Sequence, residues 1–344
     1  MVELPRLKLI NRSAFPSKIR MPDIVSYTGK VFQTKINPHW VETEADSYTW
    51  FSSYGLYDDR KLQRFFEAKF GLMAALAFPD ADLERFRPAM DFILWLFTFD
   101  DFNDAEGPRE NTESTKLAIS EVMDVLRNPE LARPTLSIAT SLQSLFRRMR
   151  ATSCCGSANR FVDAFDLYTQ ATLKQNINRS VDNLPTVEEF IQLRRDTSAV
   201  KMMFPVLEYT LGLSLPDEVH GDPVIGELLL AGNDLLTWAN DVYSFPIEQA
   251  REDTHNLVFI VMWNEGLDLE HAIDYVDKLI QKRLQEYIHA KAQLRSFSPE
   301  VDAQVEQYVR GVEYGVQGSI SWTFMTPREC YMSQLGLCYT HHGS

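Results

Sequence analysis

The chain has 344 residues, 45% of them hydrophobic and 24% charged, which suits a folded chain with a large core and excludes disorder as its main state. Lys and Arg number 34 against 48 Asp and Glu, and the resulting net charge of −14 argues against nucleic acid or anionic lipid as a partner. Apolar runs such as Phe92 to Phe97 fall well short of the roughly 20 residues of a membrane span, and Met1 to Pro5 shows no secretory leader, so a cytoplasmic protein with no transmembrane segment is expected.

Pro5, Pro16 and Pro22, with Pro38 just beyond, interrupt the first three dozen residues, predicting an irregular arm over 1–36 that lies against the body. From Trp40 onward helical spacing takes over: Val41, Ala45, Tyr48 and Phe51, then Leu62, Phe65, Phe66 and Phe70. Pro88 predicts the start of a helix over Ala89 to Asp104 that is apolar on every side and so belongs in the middle of a bundle. Helices follow over Thr115 to Arg127, Pro134 to Arg150 and Arg160 to Asn176, with a turn at Ser153 to Ser157. Thr186 and Glu189 form a capping box that opens a long helix, in which Pro205 predicts a kink or break. Asp222-Pro223 opens another to about Ala250, with a kink expected at Pro246, and His255 to Gly266, Leu269 to Phe297 and Ser298 to Met325 complete the set. No strand-like alternation, linker or solenoid repeat intervenes, so an all-α chain with one bundle over 37–333 and a tail over 334–344 is expected. Cys154, Cys155, Cys330 and Cys338 have no metal-ligand spacing and read as free thiols.

Three clusters carry chemistry. In Asp100-Asp101-Phe102-Asn103-Asp104, Asp100 and Asp104 share a helix face, and paired carboxylates beside Phe97 and Phe99 suit a hard cation. A solvated acidic helix end is the competing reading. In Asn240-Asp241-Val242-Tyr243-Ser244-Phe245-Pro246-Ile247-Glu248, an amide, a hydroxyl and a carboxylate recur every four residues, an oxygen set that suits Mg²⁺. An ordinary polar stripe would look the same. Arg194-Arg195-Asp196-Thr197-Ser198 offers guanidinium forks for a phosphate or, alternatively, a solvated basic patch.

Taken together, Asp100-Asp101-x-x-Asp104, Asn240-Asp241-x-x-Ser244-x-x-x-Glu248 and an Arg 46 residues before Asn240 resemble the class I terpene cyclases of fungal and microbial type. Weaker matches extend the resemblance from Asn37 to Tyr331: Asn37-Pro38 with Trp50, His255-Asn256, and Gly318-Ser319-Ile320-Ser321-Trp322. It implies a class I terpenoid synthase bundle with a central apolar cavity. Asp100, Asp101, Asp104, Asn240, Ser244 and Glu248 would then hold three Mg²⁺, with Mn²⁺ as the alternative ion. It further implies Arg194 as the diphosphate sensor, Thr197 as the linker and Ser198 as the effector whose carbonyl faces the cation. Arg328 and Tyr331 would serve the diphosphate, although Glu329 stands where the family usually has the Tyr, and Ile247 stands where bacterial members often have a Lys.

The implied reaction is metal-triggered ionisation of an allylic isoprenoid diphosphate, most naturally C15 farnesyl diphosphate, to a sesquiterpene hydrocarbon or alcohol. The cation would need apolar and aromatic walls. Phe97 and Trp322 are expected to supply them, with Ile93, Asn233 and Thr237 along the same faces. Rival readings are a monoterpene synthase using geranyl diphosphate, for example to linalool, a trans-prenyltransferase, and a non-catalytic helical interaction protein. Monomer and homodimer are both compatible with the sequence.

Overall fold

A helix that is apolar all round has to be surrounded, and the segment ending at Asp104 is: Phe86, Met90, Phe92, Ile93, Leu94, Trp95 and Phe99 are each at most 1% exposed. The computed structural model describes residues 18–104, 112–180, 184–250, 253–326 and 338–339. In chain order the helices are α1 (Ile24–Thr28), α2 (Trp40–Ser52), α3 (Asp59–Glu67), α4 (Phe70–Ala77), α5 (Leu83–Asp104), α6 (Thr112–Arg127), α7 (Ser137–Thr152) and α8 (Cys155–Ser180). They continue with α9 (Val187–Thr197), α10 (Val200–Thr210), α11 (Asp217–His220), α12 (Pro223–Ala250), α13 (Leu257–Glu265), α14 (Leu269–Lys291) and α15 (Pro299–Met325). Among the described residues the only strand pairing is a two-residue parallel bridge, Lys18–Ile19 with Cys338–Tyr339. The fold is all-α, with α5 packed between α2, α4, α7 and α10 and with α12 packed against α14 and α15. No described helix is long and apolar enough to cross a membrane.

Several boundaries differ from those the sequence suggests. Helix α5 begins at Leu83, not after Pro88, because the Asp82 carboxylate accepts the Arg85 amide (2.9 Å) and caps a start six residues earlier. Pro88 sits early inside it, where one helical hydrogen bond is lost. Helix α8 starts at Cys155, inside the expected turn. The long helix opened by the Thr186–Glu189 box breaks at Ser198–Ala199, where Ala199 adopts a left-handed φ of 63°, and Pro205 lies within the next helix. Helix α14 stops at Lys291, short of Phe297, while α12 is continuous through Pro246 to Ala250. The 1–36 region is not wholly irregular: Asp23 caps α1, and Ile24 and Phe32 are buried.

Buried carboxylates paired with guanidinium groups lock the helices in place. Asp91 on α5 accepts from Arg87 (3.1 Å) and from Arg148 on α7 (2.7 Å). Asp234 on α12 takes both Arg195 of α9 (2.7 Å twice) and Arg283 of α14 (2.8 Å). Glu208 on α10 takes Arg160 of α8 (3.2 and 2.6 Å). Each pair satisfies a charge that would be costly to bury alone.

Candidate active site

Three helices run from the depth of the bundle toward one mouth. On α5, Ile93, Phe97 and Asp100 follow one stripe; on α12 it is Gly232, Leu236, Asn240, Ser244 and Glu248; on α15 it is Gly311, Gly315, Ser319 and Trp322. All of these line one cavity of about 1180 Å³. Its deep walls are apolar, and its oxygen and nitrogen groups gather where α5, α9 and α12 meet the mouth.

The aromatic wall is built by stacking. Phe97 stacks on Phe70 with centroids 4.1 Å apart, Phe70 stacks on Trp322 at 5.5 Å, and Phe65 packs on Phe70 at 4.7 Å. Left-handed Lys69 turns the chain between α3 and α4, and its carbonyl accepts the Trp322 indole N–H (2.9 Å). The Thr326 hydroxyl donates to the Ala68 carbonyl (2.7 Å), so the end of α15 is fastened to the same turn. Phe97, Trp322 and Ile93 therefore lie on the cavity wall.

At the mouth, Asp100 and Asp101 end the α5 stripe. Tyr168 of α8 donates to Asp100 (3.4 Å), while Tyr57 donates to Asp101 (2.9 Å) and Lys61 pairs with it (3.3 Å). Opposite them, Arg194 reaches α12 with three hydrogen bonds, to Asp241 Oδ1 (3.0 and 2.7 Å) and to Asn240 Oδ1 (3.1 Å). Burial opposes the Arg194 charge, but Asp241, Glu248 and Asp100 outweigh it and hold the guanidinium above its ordinary pKa. Thr197 and Ser198 line the wall at the α9–α10 break; Thr197 Oγ1 is 3.2 Å from His255 Nε2.

Three neighbours do not take the expected places. Arg195 turns away from the cavity into the Asp234–Arg283 network, because adjacent helical residues diverge by about 100°. Asn233 and Thr237 are not among the cavity-lining residues, which corrects their expected role. Ser198 donates to Asn233 Oδ1 (3.1 Å), whose amide donates to the Arg195 carbonyl (2.9 Å), and Thr237 bonds back to the Asn233 carbonyl (2.9 Å). The α9–α10 break packs over that edge of α12, leaving Gly232, Leu236, Ala239 and Tyr243 to face the chamber. Arg328 and Tyr331 lie outside the described residues, as does the side chain of Asp104.

Some site residues had only faint sequence signals. Asn256 caps α13 through its Oδ1 (Val258 amide, 2.8 Å) while its amide donates to Glu248 Oε2 (2.8 Å) and the Asp241 carbonyl (2.7 Å). Asp241, fully buried, also accepts the Leu257 amide (2.9 Å). Tyr168 continues the Phe161–Phe165 stripe of α8, a periodicity that could have singled it out.

The donors fit a divalent cation. Ser244 Oγ is buried at the cavity wall without a hydrogen-bond partner among the described residues, and it lies between Asn240 and Glu248 on the same stripe. Burial, reinforced by the Asp241 charge, pushes the Glu248 carboxyl up to about 7, the state of an acid short of counter-charge. Among the described residues no three His, Cys, Asp or Glu side chains form a ready-made cage. An incomplete oxygen set that leaves positions for water and phosphate is the one Mg²⁺ prefers.

Carboxylate, amide and hydroxyl oxygens gathered at the mouth of an apolar chamber within a helical bundle are the arrangement of a class I terpenoid cyclase. Residues 91–286 match the family model described as terpene synthase family 2, C-terminal metal binding. Sesquiterpene synthase Agr1 of Cyclocybe aegerita is 33% identical over 311 residues, covering 90% of this chain and 88% of that protein. Alpha-muurolene synthase of Coprinopsis cinerea is 34% identical over 324 residues, covering 91% and 74%. Hedycaryol synthase, solved in complex with HEPES, shares the fold with a TM-score of 0.77 at 21% identity, covering 90% and 99%. The chain belongs to the terpene synthase family, and it is a metal-binding enzyme of that family.

Proposed function

We propose that the protein ionises farnesyl diphosphate and converts it to a sesquiterpene hydrocarbon or alcohol, releasing diphosphate, as a cytosolic enzyme whose catalytic unit spans 37–333. One observation carries this reading: the oxygen-ligand mouth opens directly into an apolar chamber of about 1180 Å³, room for a C15 chain with its head at the metals. The names of the relatives, sesquiterpene synthase and alpha-muurolene synthase, support the C15 choice.

Asp100 and Asp101 on one side, and Asn240, Ser244 and Glu248 on the other, would hold Mg²⁺, three ions by family resemblance, with Asp104 in support and Mn²⁺ as the alternative. Held by these residues, the ions would supply Lewis-acid neutralisation of charge on a departing diphosphate. Arg194, already aligned by Asp241, presents a fixed positive charge to the same group. Phe70, Phe97 and Trp322 offer ring faces to the carbocation and keep water out. Helix α9 ends at Thr197–Ser198 on the chamber wall, so the negative end of its dipole lies beside the developing cation, with Ser198 as the effector.

Incubation with C10, C15 and C20 allylic diphosphates and Mg²⁺, followed by volatile analysis, tests the proposal. A C15 product from farnesyl diphosphate is expected. Product from geranyl diphosphate alone would make the enzyme a monoterpene synthase, and chain elongation would make it a prenyltransferase. No volatile product and no released diphosphate would overturn the reading.

A further inference from the structure

Helix α15 carries three glycines on its inner side, and two have a packing reason. A Cβ at Gly311 would lie 2.6 Å from Leu207 Cδ1, and one at Gly318 would lie 2.7 Å from the Leu76 carbonyl oxygen. Gly232 on α12 is similar, with Val312 Cγ1 at 3.0 Å. Gly315 is different. A Cβ there would meet nothing within 4 Å, and its φ is not in the left-handed region. Glycine is a poor helix former, so a mid-helix glycine that neither packing nor backbone requires leaves the helix weaker than alanine would. The space above Gly315 belongs to the cavity, which it lines.

We infer that Gly315 is a specificity-determining residue: its missing side chain leaves room for the distal end of the isoprenoid chain and so sets the length the site accepts. The inference rests on the proposed isoprenoid diphosphate activity. Depth supports it. Trp322, seven residues on, packs against Phe97 in a tilted arrangement with centroids 6.2 Å apart, within one turn of Asp100, so Gly315 lies about 10 Å deeper along the axis at ~1.5 Å per residue. A head group at Asp100 and Asn240 would thus direct its hydrocarbon tail past Trp322 toward Gly315. Side chains on a helix lean back toward its N-terminus, so a leucine at this position would fill the deep end beside Gly311 and leave the mouth untouched.

The test compares wild type, Gly315→Ala and Gly315→Leu, measuring Mg²⁺-dependent diphosphate release from geranyl and farnesyl diphosphates and the thermal midpoint. Gly315→Leu should shift the ratio of kcat/KM for C15 over C10 at least tenfold toward C10. Gly315→Ala should shift it in the same direction by about twofold or more while raising the midpoint by about 1–3 °C, and it carries the test if the leucine variant does not fold. Binding of farnesol and geraniol, followed by tryptophan fluorescence, reports the chamber without ionisation, with farnesol weakened more than geraniol. A wild-type protein inactive on both diphosphates would contradict the proposed function alone, since the alcohol-binding ratio still decides the role of Gly315. Unchanged C15/C10 ratios in folded variants, or a lowered midpoint for Gly315→Ala, would overturn the inference.

Discussion

Arg194 places two hydrogen bonds on a single oxygen of Asp241, at 3.0 and 2.7 Å, while the other oxygen of that carboxylate holds the Leu257 amide. The start of α13 and the end of α9 are thus bound to one buried residue inside the α12 motif. Because the same guanidinium also reaches Asn240, its position and that of a proposed metal ligand are set together.

Replacing the fork by a point charge should therefore be severe. Arg194→Lys cannot bond Asn240 and Asp241 together, and a loss of about 10²–10³-fold in kcat/KM is expected from removing one aligned charge donor. Steady-state diphosphate release and circular dichroism check it, with helicity retained.

Ser244→Ala separates metal binding from folding. The hydroxyl is buried with no hydrogen bond to lose among the described residues, so its removal should not lower the unfolding free energy. The Mg²⁺ concentration for half-maximal activity should rise at least tenfold, read from a metal titration. Asn240→Leu should go further and abolish turnover with circular dichroism intact.

The adjacent arginine should behave in the opposite way. Arg195→Ala strips a bidentate partner from fully buried Asp234, and a cost of about 3 kcal/mol is expected, at the low end for a broken buried pair because Arg283 still holds the carboxylate. Urea unfolding measures it. Per folded molecule, activity should fall far less than in Arg194→Lys.

Glu208 makes acid stability a test of the bundle. Burial alone would raise its carboxyl, but His220, at 3.6 Å, and the bidentate Arg160 outweigh it and hold the group below the ordinary value of 4.5. Its contribution is complete above pH 4.5 and is lost as pH falls through the lower folded value, because the unfolded chain takes up the proton first. Wild type should lose stability more steeply below pH 4.5 than Glu208→Gln, which starts less stable at pH 7. Thermal midpoints across pH 3–7 check both.

Much of the site was legible because its residues obey helical spacing. Asp100, Asn240, Ser244 and Glu248 repeat on single faces, and the capping box at Thr186 located α9 to the residue. Spacing fails where tertiary packing chooses between near-equivalent positions. Asn233 and Thr237 lie close in phase to the Asn240 stripe, yet Asn233 is taken by the α9–α10 break and Thr237 bonds back into its own helix. That break was itself hidden, since Ala199 carries no sequence mark of a left-handed φ and Pro205 drew the expectation six residues too far. Asp82 capped α5 upstream of a proline that looked like a start. The 46-residue spacing from Asn240 singled out Arg194, but nothing in the sequence marks Arg195 as turned into the buried Asp234–Arg283 network.

In the proposed reaction, carboxylate, amide and hydroxyl oxygens at the mouth act through a divalent cation on an isoprenoid diphosphate. Diphosphate release from farnesyl diphosphate, measured with Mg²⁺ and again after chelation, tests it most directly. Turnover with Mg²⁺, none after chelation, and recovery when Mg²⁺ is restored are expected. Equal release in the presence and absence of the metal, or no release in either, would contradict it.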